Sequence, residues 1–530
     1  MNTTNKNQYD YIVIGSGSAG GLLSYRLSEN PSLRILLLEA GSAEHHWTIR
    51  MPAAARQNFL GGPRNWSFET DPEPHMNNRK LFQPRGKVIG GSSSLNGMVF
   101  VRGHRQDYDN WVREGAKGWS YDDVLPYFKS METYSSGPTA FRGTNGPVAV
   151  EHMSNLHPIE LAYLKAGEQA GYRIVDDYNG AEQEGVSAFD ANIGSGYRCG
   201  TAKLLHSILP RPNLHLLSGV HATRLMINNG QARGVEYLQD GTLHTAYTER
   251  EVIVCAGAFQ SPQILMLSGI GPADELRQFD IQPLVDLPGV GRNLQDHLEV
   301  HVKHRCPKGL SRNRLLRKHN MLLAGLQWFL FQSGPASTPV SRVGGFLRTS
   351  DDVEYPNLQY HFWPYFLEGW SPPPGKDGYC FDVGPVRPQS RGWVKLKSSN
   401  PLDAPRILLN GLSSQRDIEE FRQCIQITRD IAAMKAFDSC RGPEVSPGPD
   451  VVSNADIDAY VRENANSAYH PCGTCKIGSD EMSVVDSELR VHGIENLRVA
   501  DASVMPFITN GNINAPSLMI GERAAAMLSN

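Results

Sequence analysis

Apolar and polar positions near the N-terminus follow a strand, helix, strand order. Residues 11–14, YIVI, form a short apolar run that ends at a glycine-rich turn. Apolar residues at helical spacing follow over residues 19–27, and a second apolar run covers residues 34–38. This order predicts a parallel βαβ unit.

Four later segments also have a readable pattern. Residues 355–363 and 391–397 alternate between apolar and polar positions, which predicts strands with one solvent-exposed face. Residues 417–434 carry apolar side chains at helical spacing. The long apolar run at residues 321–331 has roughly half the length that a membrane-spanning helix needs. We therefore expect a buried or interfacial helix there and no transmembrane segment.

The turn after the first predicted strand reads GSGSAG. A bare G-x-G-x-x-G is weak evidence, but this one lies between a strand and a helix. Glycines let the backbone approach a pyrophosphate, whose charge rests on the helix N-terminus. The turn therefore predicts a dinucleotide site that includes Gly15, Gly17, Ser18, Ala19 and Gly20.

An acidic residue, Glu39, closes the second predicted strand. It follows the last glycine of the motif at the distance at which a carboxylate accepts hydrogen bonds from the adenosine ribose. A carboxylate disfavours a 2′-phosphate, so NADP is excluded, while NAD and FAD both fit the βαβ unit. The E-A-G sequence, in which Ala40 follows Glu39, favours FAD.

Composition and charge narrow the class of protein. The chain has 530 residues, 40% of them apolar and 20% charged, with a formal net charge of −4. The length and composition are typical of a folded protein with enough apolar residues for two or three domains. The small net charge gives no electrostatic reason to expect nucleic acid or an anionic membrane as partner. No signal peptide is visible, and the eight cysteines are mostly scattered, which favours reduced thiols and a cytoplasmic location.

The segment SAYHPCGTCKIG, residues 467–478, combines His470 with a C-x-x-C pair, Cys472 and Cys475. It could be a metal site, a redox dithiol or a catalytic histidine. The three side chains are more crowded than zinc ligands usually are, and no second C-x-x-C exists, so we expect no metal. No thioredoxin-like strand–CxxC–helix context surrounds the pair, which argues against a dithiol centre.

Two further glycine-rich segments connect these features. They are PRGKVIGGSSSLNGMVFVRG, residues 84–103, and GAFQSPQILMLSGIG, residues 257–271. Together with the N-terminal unit, GVGRNLQDHLE at 289–299 and YHPCGTCKIGSDEMSVVD at 469–486, they resemble the glucose-methanol-choline (GMC) oxidoreductase family. The resemblance covers essentially the whole chain and is greatest to the choline dehydrogenase-like members.

The resemblance implies an α/β protein of two domains. A Rossmann-like FAD-binding domain would comprise residues 1–155, 195–305 and 466–530. An interleaved substrate domain with an antiparallel sheet would comprise residues 156–194 and 306–465. Hydride would pass from an alcohol to FAD after removal of the hydroxyl proton.

The resemblance also implies the site residues. His470 matches the catalytic histidine of the Y-H-P motif, Asn512 the second catalytic position, and His361 a pocket histidine. Leu95 occupies the position where covalently flavinylated members carry a histidine, so FAD should be bound non-covalently. The other cofactor-binding residues implied are Gly90, Ser92, Asn96, Gly97, Val220, Asp501, Ala502 and Asn514.

One departure from the family pattern concerns the substrate. In SRVGGF, residues 341–346, Arg342 occupies a position that is acidic in choline-type members. An arginine there predicts an anionic hydroxy acid such as 3-hydroxypropionate. Choline and neutral aliphatic or aromatic alcohols stay open as substrates, and a non-redox flavin lyase or a binding module is disfavoured. The electron acceptor stays open among oxygen, a quinone and a cytochrome, as does peripheral membrane association.

Overall fold

The computed structural model describes residues 8–369, 371, 373 and 375–529. The helices are α1 Ser18–Leu27, α2 Trp47–Arg50, α3 Ala55–Phe59, α4 Arg105–Arg113, α5 Tyr121–Met131, α6 Pro158–Gln169, α7 Thr201–Ile208, α8 Gly257–Leu267, α9 Ala273–Arg277, α10 Lys318–Phe331, α11 Gln415–Ala433, α12 Asn454–Asn464 and α13 Asn514–Ser529. The strands are β1 Gln8–Ile14, β2 Ile35–Glu39, β3 Phe68–Glu69, β4 Phe82–Gln83, β5 Glu132–Tyr134, β6 Val148–His152, β7 Gly185–Ala188, β8 Asp190–Ala191, β9 Ile193–Gly194, β10 Tyr197–Arg198, β11 Leu214–Ser218, β12 Val220–Asn228, β13 Gln231–Gln239, β14 Thr242–Val254, β15 Ile270–Gly271, β16 Val285–Asp286, β17 Leu298–Arg305, β18 Val343–Leu347, β19 Leu358–Trp363, β20 Gly378–Pro385, β21 Trp393–Lys395, β22 Arg406–Leu408, β23 Glu444–Ser446, β24 Asn466–Ser467 and β25 Leu497–Val499.

The first large sheet contains the predicted βαβ unit. Its strand order is β11-β2-β1-β14-β13-β12, and β25 pairs with β14. The pairs β11–β2, β2–β1, β1–β14 and β14–β25 are parallel, whereas β12, β13 and β14 form an antiparallel meander. The apolar runs of β1 and β2 are buried on both faces, as parallel strands covered by helices require. The mixed α/β fold predicted from the sequence is confirmed.

The second large sheet is antiparallel, with strand order β23-β17-β20-β19-β18-β7 and with β24 paired to β17. One face of β17 buries Val300 and Val302, while the alternate positions keep part of their surface exposed. The buried face packs on α6 and α11, whose apolar residues Ile418, Phe421, Ile425 and Ile431 follow helical spacing. The opposite face is therefore left to carry polar side chains.

Two details of this sheet differ from the sequence interpretation. Strand β17 falls in the residue range assigned to the flavin domain, yet it pairs with β20 of the second sheet. The segment 391–397 contributes β21, which pairs with β22 in a separate two-stranded sheet and not in the large one. The domain boundaries themselves stay a prediction.

A buried network of ion pairs connects segments from both predicted domains. The Glu132 carboxylate accepts hydrogen bonds from Arg102 Nη2 at 2.5 Å and from Arg142 Nε at 3.2 Å. Arg142 also pairs with Asp177 and Asp190, both at 2.9 Å. Because each charge has a partner, the desolvation that burial imposes is compensated within the network.

Candidate active site

A cavity runs from the first sheet to the loop that follows β24. It begins at the carboxyl ends of β1 and β2, where Ile14, Leu38 and Glu39 contribute to its wall. The N-termini of two helices reach it, through Ser18 of α1 and Asn514 of α13. The Ser18 hydroxyl donates to Asn514 Oδ1 at 2.7 Å, which joins the two helix ends. Two convergent helix N-termini favour an anionic group between them.

Glu39 is held in a fixed position at the ribose end of the cavity. One carboxylate oxygen accepts from Ser16 N at 3.1 Å and Ser16 Oγ at 2.6 Å, and the other accepts from Gly41 N at 2.8 Å. These bonds fix the carboxylate and leave one lone pair, on Oε1, for a ribose hydroxyl.

The residues of the cavity fit a flavin dinucleotide. A Cβ atom added to Gly17 or Gly97 would meet no protein atom within 4 Å, so both glycines leave room for a flat ligand against the backbone. The Asn514 side-chain Nδ2 is buried and has no partner among the described residues, which suits a donor to an oxygen of the cofactor.

Most predicted cofactor residues line this cavity, and two do not. Gly20 and Gly90 lie behind the wall, because a Cβ on Gly20 would be 2.1 Å from Gly15 O and one on Gly90 would be 2.7 Å from Ala202 N. Gly91 borders the cavity in place of Gly90. The predicted residues that line it are Gly15, Gly17, Ser18, Ala19, Glu39, Ala40, Ser92, Asn96, Gly97, Val220, Asp501, Ala502 and Asn514.

Leu95 also lines the cavity. Its side chain has no nucleophilic atom, so it cannot form the bond that covalent flavinylation requires. An FAD molecule in this cavity would therefore have no covalent link to residue 95.

His470 and Asn512 face the same cavity beyond the glycine-rich segments. His470 N donates to Asp296 Oδ1 at 2.7 Å, which anchors the loop after β24. Its two ring nitrogens are both engaged: Nδ1 lies 3.1 Å from His297 Nδ1, and Nε2 lies 3.0 Å from Asn512 Nδ2. The two predicted catalytic side chains are therefore in direct contact.

These contacts assign the tautomer of His470. His297 Nε2 lies 3.0 Å from the Val386 carbonyl oxygen and must donate to it, so His297 Nδ1 is an acceptor. His470 Nδ1 then carries the proton that His297 accepts, and His470 Nε2 keeps its lone pair toward Asn512 and the cavity. The ring is thereby oriented as a base.

Electrostatics keep this base unprotonated. Burial, followed by the nearby His297, His361 and Arg85, lowers the pKa of His470 well below its ordinary value. Burial also lowers the pKa of His297 to about 3, which keeps it neutral in the tautomer just assigned. Both imidazoles are consequently uncharged at neutral pH.

Asn512 links His470 to the second sheet. Its Oδ1 accepts from Gln359 Nε2 at 3.0 Å and lies 3.3 Å from His361 Nε2. Its amide orientation is therefore set, with Nδ2 toward His470. His361 does not border the cavity itself, but it contacts Asn512, which does.

A group of acidic and imidazole side chains lies beside His361 on the polar face of the second sheet. The register places His301, Asp382 and His361 in one row across β17, β20 and β19. Potential ligand atoms of Glu299, His361 and Asp382 all lie within 4.8 Å of one another, and His301 Nδ1 is 3.1 Å from Asp382 Oδ1. Glu299, His301 and His361 keep part of their surface exposed.

The charges in this group favour a cation. Although burial opposes its protonation, Asp382 raises the pKa of His301 well above its ordinary value. Burial and then Asp382 raise the pKa of Glu299. The protonated His301 compensates one carboxylate, and the raised pKa of Glu299 means that a second negative charge there is unfavourable until a positive ligand lies beside it.

The two thiols beside His470 have no part in this arrangement. Cys472 and Cys475 are buried and unbridged. Burial raises the pKa of Cys472, and it raises that of Cys475 well above its ordinary value, so neither forms a thiolate readily.

The predicted anion clamp at Arg342 is not supported. The Arg342 guanidinium pairs with the buried Glu160 of α6, with Nε 3.1 Å from Oε1 and a second contact from Nη2. Both side chains are buried, and Arg342 does not line the cavity. Its charge is neutralised within the protein, so the guanidinium group is not available to bind a substrate carboxylate.

Sequence reasoning missed His297, Glu299 and Gln359. The first two lie in the segment LQDHLE, which was noted only for its resemblance. The sequence could have indicated them, because a histidine and an acid stand two residues apart at the start of a segment that alternates between apolar and polar positions. This alternation places Glu299 and His301 on the same face of the strand.

Comparison with known proteins agrees with this architecture. The N-terminal family model described as GMC oxidoreductase matches residues 9–299, and the C-terminal one matches residues 388–521. The chain belongs to the GMC oxidoreductase family. This GMC oxidoreductase is an FAD enzyme that acts on the CH–OH group of a small-molecule alcohol.

Curated relatives match this GMC oxidoreductase over nearly its whole length. It is 45% identical to the mitochondrial choline dehydrogenase of Mus musculus, with 99% of this chain and 90% of that protein covered. It is 44% identical to the oxygen-dependent choline dehydrogenase of Brucella anthropi, with 97% and 94% covered.

Solved structures share the fold of this GMC oxidoreductase. Pyridoxine 4-oxidase from Mesorbium loti has a TM-score of 0.89 at 31% identity, with 98% of each chain covered. Formate oxidase from Aspergillus oryzae (R554K variant) has a TM-score of 0.93 at 29% identity, with 99% of each chain covered.

Proposed function

We propose that this enzyme oxidises choline, or a closely related primary alcohol with a quaternary ammonium group, to the aldehyde. The observation that carries the proposal is the group of Glu299, Asp382 and His361, whose polar atoms lie within 4.8 Å of one another and which adjoins Asn512. The names of the curated relatives support the same substrate class.

The chain's own residues would supply the proton chemistry. FAD, when bound, supplies the hydride acceptor. His470 Nε2 takes the proton of the substrate hydroxyl, which makes the α-carbon a better hydride donor. Asn512 Nδ2 donates a hydrogen bond to the substrate oxygen in place of its bond to His470, and its amide is held in that orientation by Gln359 and His361.

The cation would lie against Glu299. A trimethylammonium group has no N–H to donate, so its recognition depends on charge and on shape. A half-buried carboxylate that is short of a compensating cation suits that task. Asp382, on the neighbouring strand β20, and His301, on the same strand as Glu299, then set the charge around Glu299.

Substituting Glu299→Gln should weaken choline recognition with little change for a neutral substrate of the same shape. We expect the KM for choline to rise about 10- to 100-fold, because a charge-assisted contact is lost. The KM for 3,3-dimethylbutan-1-ol, which replaces the ammonium nitrogen by carbon, should stay within about twofold. The measurement is steady-state kinetics of the FAD-loaded enzyme with both alcohols.

The matched control for that experiment is Glu481→Gln, an exposed carboxylate outside the cavity. It should leave both KM values unchanged. If Glu299→Gln raises KM equally for choline and for the neutral alcohol, the residue supports the pocket without recognising the positive charge. The proposed substrate class would then be wrong.

The pH dependence should separate Glu299 from His470. Glu299 binds a cation only as a carboxylate, and its raised pKa leaves it protonated as the pH falls. The kcat/KM for choline should therefore decrease on the acid side. His470, with its lowered pKa, stays unprotonated there. The measurement is a pH profile of kcat/KM. The decrease at low pH should be absent with the neutral alcohol, and absent with choline in the Glu299→Gln variant. If the variant still shows this decrease with choline, another group causes it.

A further inference from the structure

Helix α10 presents apolar side chains to solvent over most of its circumference. Seven of its fourteen residues are exposed large apolar residues. The most exposed are Leu322 at 64%, Leu330 at 68% and Phe331 at 69%. Among the helix residues only Trp328 is buried. An apolar patch of this extent on a folded protein marks an interaction surface.

Trp328 attaches the helix to the rest of the protein. Its Nε1 donates to Gly196 O at 2.7 Å, and its ring packs with Met51, Ala54 and Ala336. The large apolar residues of the helix other than Trp328 are exposed, so the face that they form is not part of the core.

The chain around this helix is strongly basic. No aspartate or glutamate occurs from residue 300 to residue 350, although this stretch contains nine lysines and arginines. Arg314, Arg317 and Lys318 are exposed at the N-terminal end of the helix, and no ion pair involves them within the part of the chain that the structure describes. The small net charge of the whole protein conceals this local excess.

We propose that α10 is a docking surface for an anionic phospholipid bilayer, with the helix lying in the plane of the membrane. A helix of this length extends over only about 21 Å, and no helix among the described residues is long and apolar enough to cross a membrane. Its leucines and phenylalanines enter the acyl boundary while the arginines and the lysine meet the lipid phosphates. Apolar exposure and basic charge on one element are the combination that an anionic interface requires.

The surface adjoins the segments that cover the cofactor cavity. Phe329 lies 5.8 Å, ring to ring, from the exposed Trp47 of α2. Phe59 of the following helix α3 lines the cavity. Docking through α10 therefore brings this side of the cavity close to the lipid surface.

The test is flotation of the FAD-loaded protein with vesicles of phosphatidylcholine mixed with phosphatidylglycerol, and with vesicles of phosphatidylcholine alone. We expect flotation with the mixed vesicles and clearly less with phosphatidylcholine alone. The variant Leu322→Ser/Leu330→Ser/Phe331→Ser should lose vesicle affinity by more than about tenfold, because three apolar side chains no longer enter the lipid. Its flavin absorbance should be unchanged.

The matched control is Leu243→Ser/Leu402→Ser/Val452→Ser, which removes equally exposed apolar side chains elsewhere on the surface. It should float as the unsubstituted protein does. The proposal is overturned if the unsubstituted protein stays in the aqueous fraction, or if both triple variants float equally. It is also overturned if light scattering shows that α10 holds two copies together and that only the α10 variant is monomeric.

Discussion

Replacing His470 by alanine should lower the rate of flavin reduction by choline about 10²- to 10⁴-fold, the range for loss of a positioned general base. The hydrogen bonds among His297, His470 and Asn512 leave His470 Nε2 as the lone pair that faces the cavity. The measurement is anaerobic stopped-flow loss of flavin absorbance. Binding of FAD should persist, because Glu39 and the helix N-termini are untouched.

The residual rate of the His470→Ala variant should rise with pH, because hydroxide then replaces the missing base. The unsubstituted enzyme should not show that rise above neutral pH. His75→Ala, which removes an exposed imidazole outside the cavity, is the control. A His470→Ala enzyme that keeps its full rate would show that another group takes the proton.

Replacing Glu132 by alanine should lower the free energy of unfolding by about 3–5 kcal/mol, the usual cost of removing one partner from a buried charge network. The carboxylate accepts from Arg102, Arg142 and Gly143 N. Its loss removes the counter-charge of the buried Arg102 guanidinium, while Arg142 keeps Asp177 and Asp190. Denaturant titration of the FAD-loaded protein measures the change.

An exposed ion pair provides the comparison for that prediction. Arg224 and Glu236 lie 3.0 Å apart, but the arginine side chain is 58% exposed. Glu236→Ala should therefore cost only about 0–1 kcal/mol. Similar losses for Glu132→Ala and Glu236→Ala would contradict the view that the buried network stabilises the folded protein.

Local sequence patterns predicted the parts of the molecule whose determinants are close together along the chain. The turn at Gly15–Gly20 and the acid Glu39 follow one another within a single βαβ unit, and the cavity begins at these residues. The helix at 417–434 was likewise predictable from its apolar spacing, and it differs from the structure by only a few residues at its ends.

The proposed substrate end of the site depends on residues that are distant in sequence. His301, Asp382 and His361 share a row only because β17, β20 and β19 pair in that register, which no local pattern reveals. The Arg342 prediction was wrong for the same reason. Its partner Glu160 lies on α6, and without knowledge of that contact an arginine near the expected pocket looked available.

Helix α13 completes the cofactor cavity that the first strand and helix begin. Asn514 at its N-terminus bonds to Ser18, and Tyr11 of β1 donates to Leu528 O near its end. Almost all of the 530 residues must therefore be synthesised before the N-termini of α1 and α13 can meet at the cavity. We therefore expect flavin to load only after α13 has been synthesised and has docked. Chains that lack this helix should then be without the stabilising effect of the cofactor.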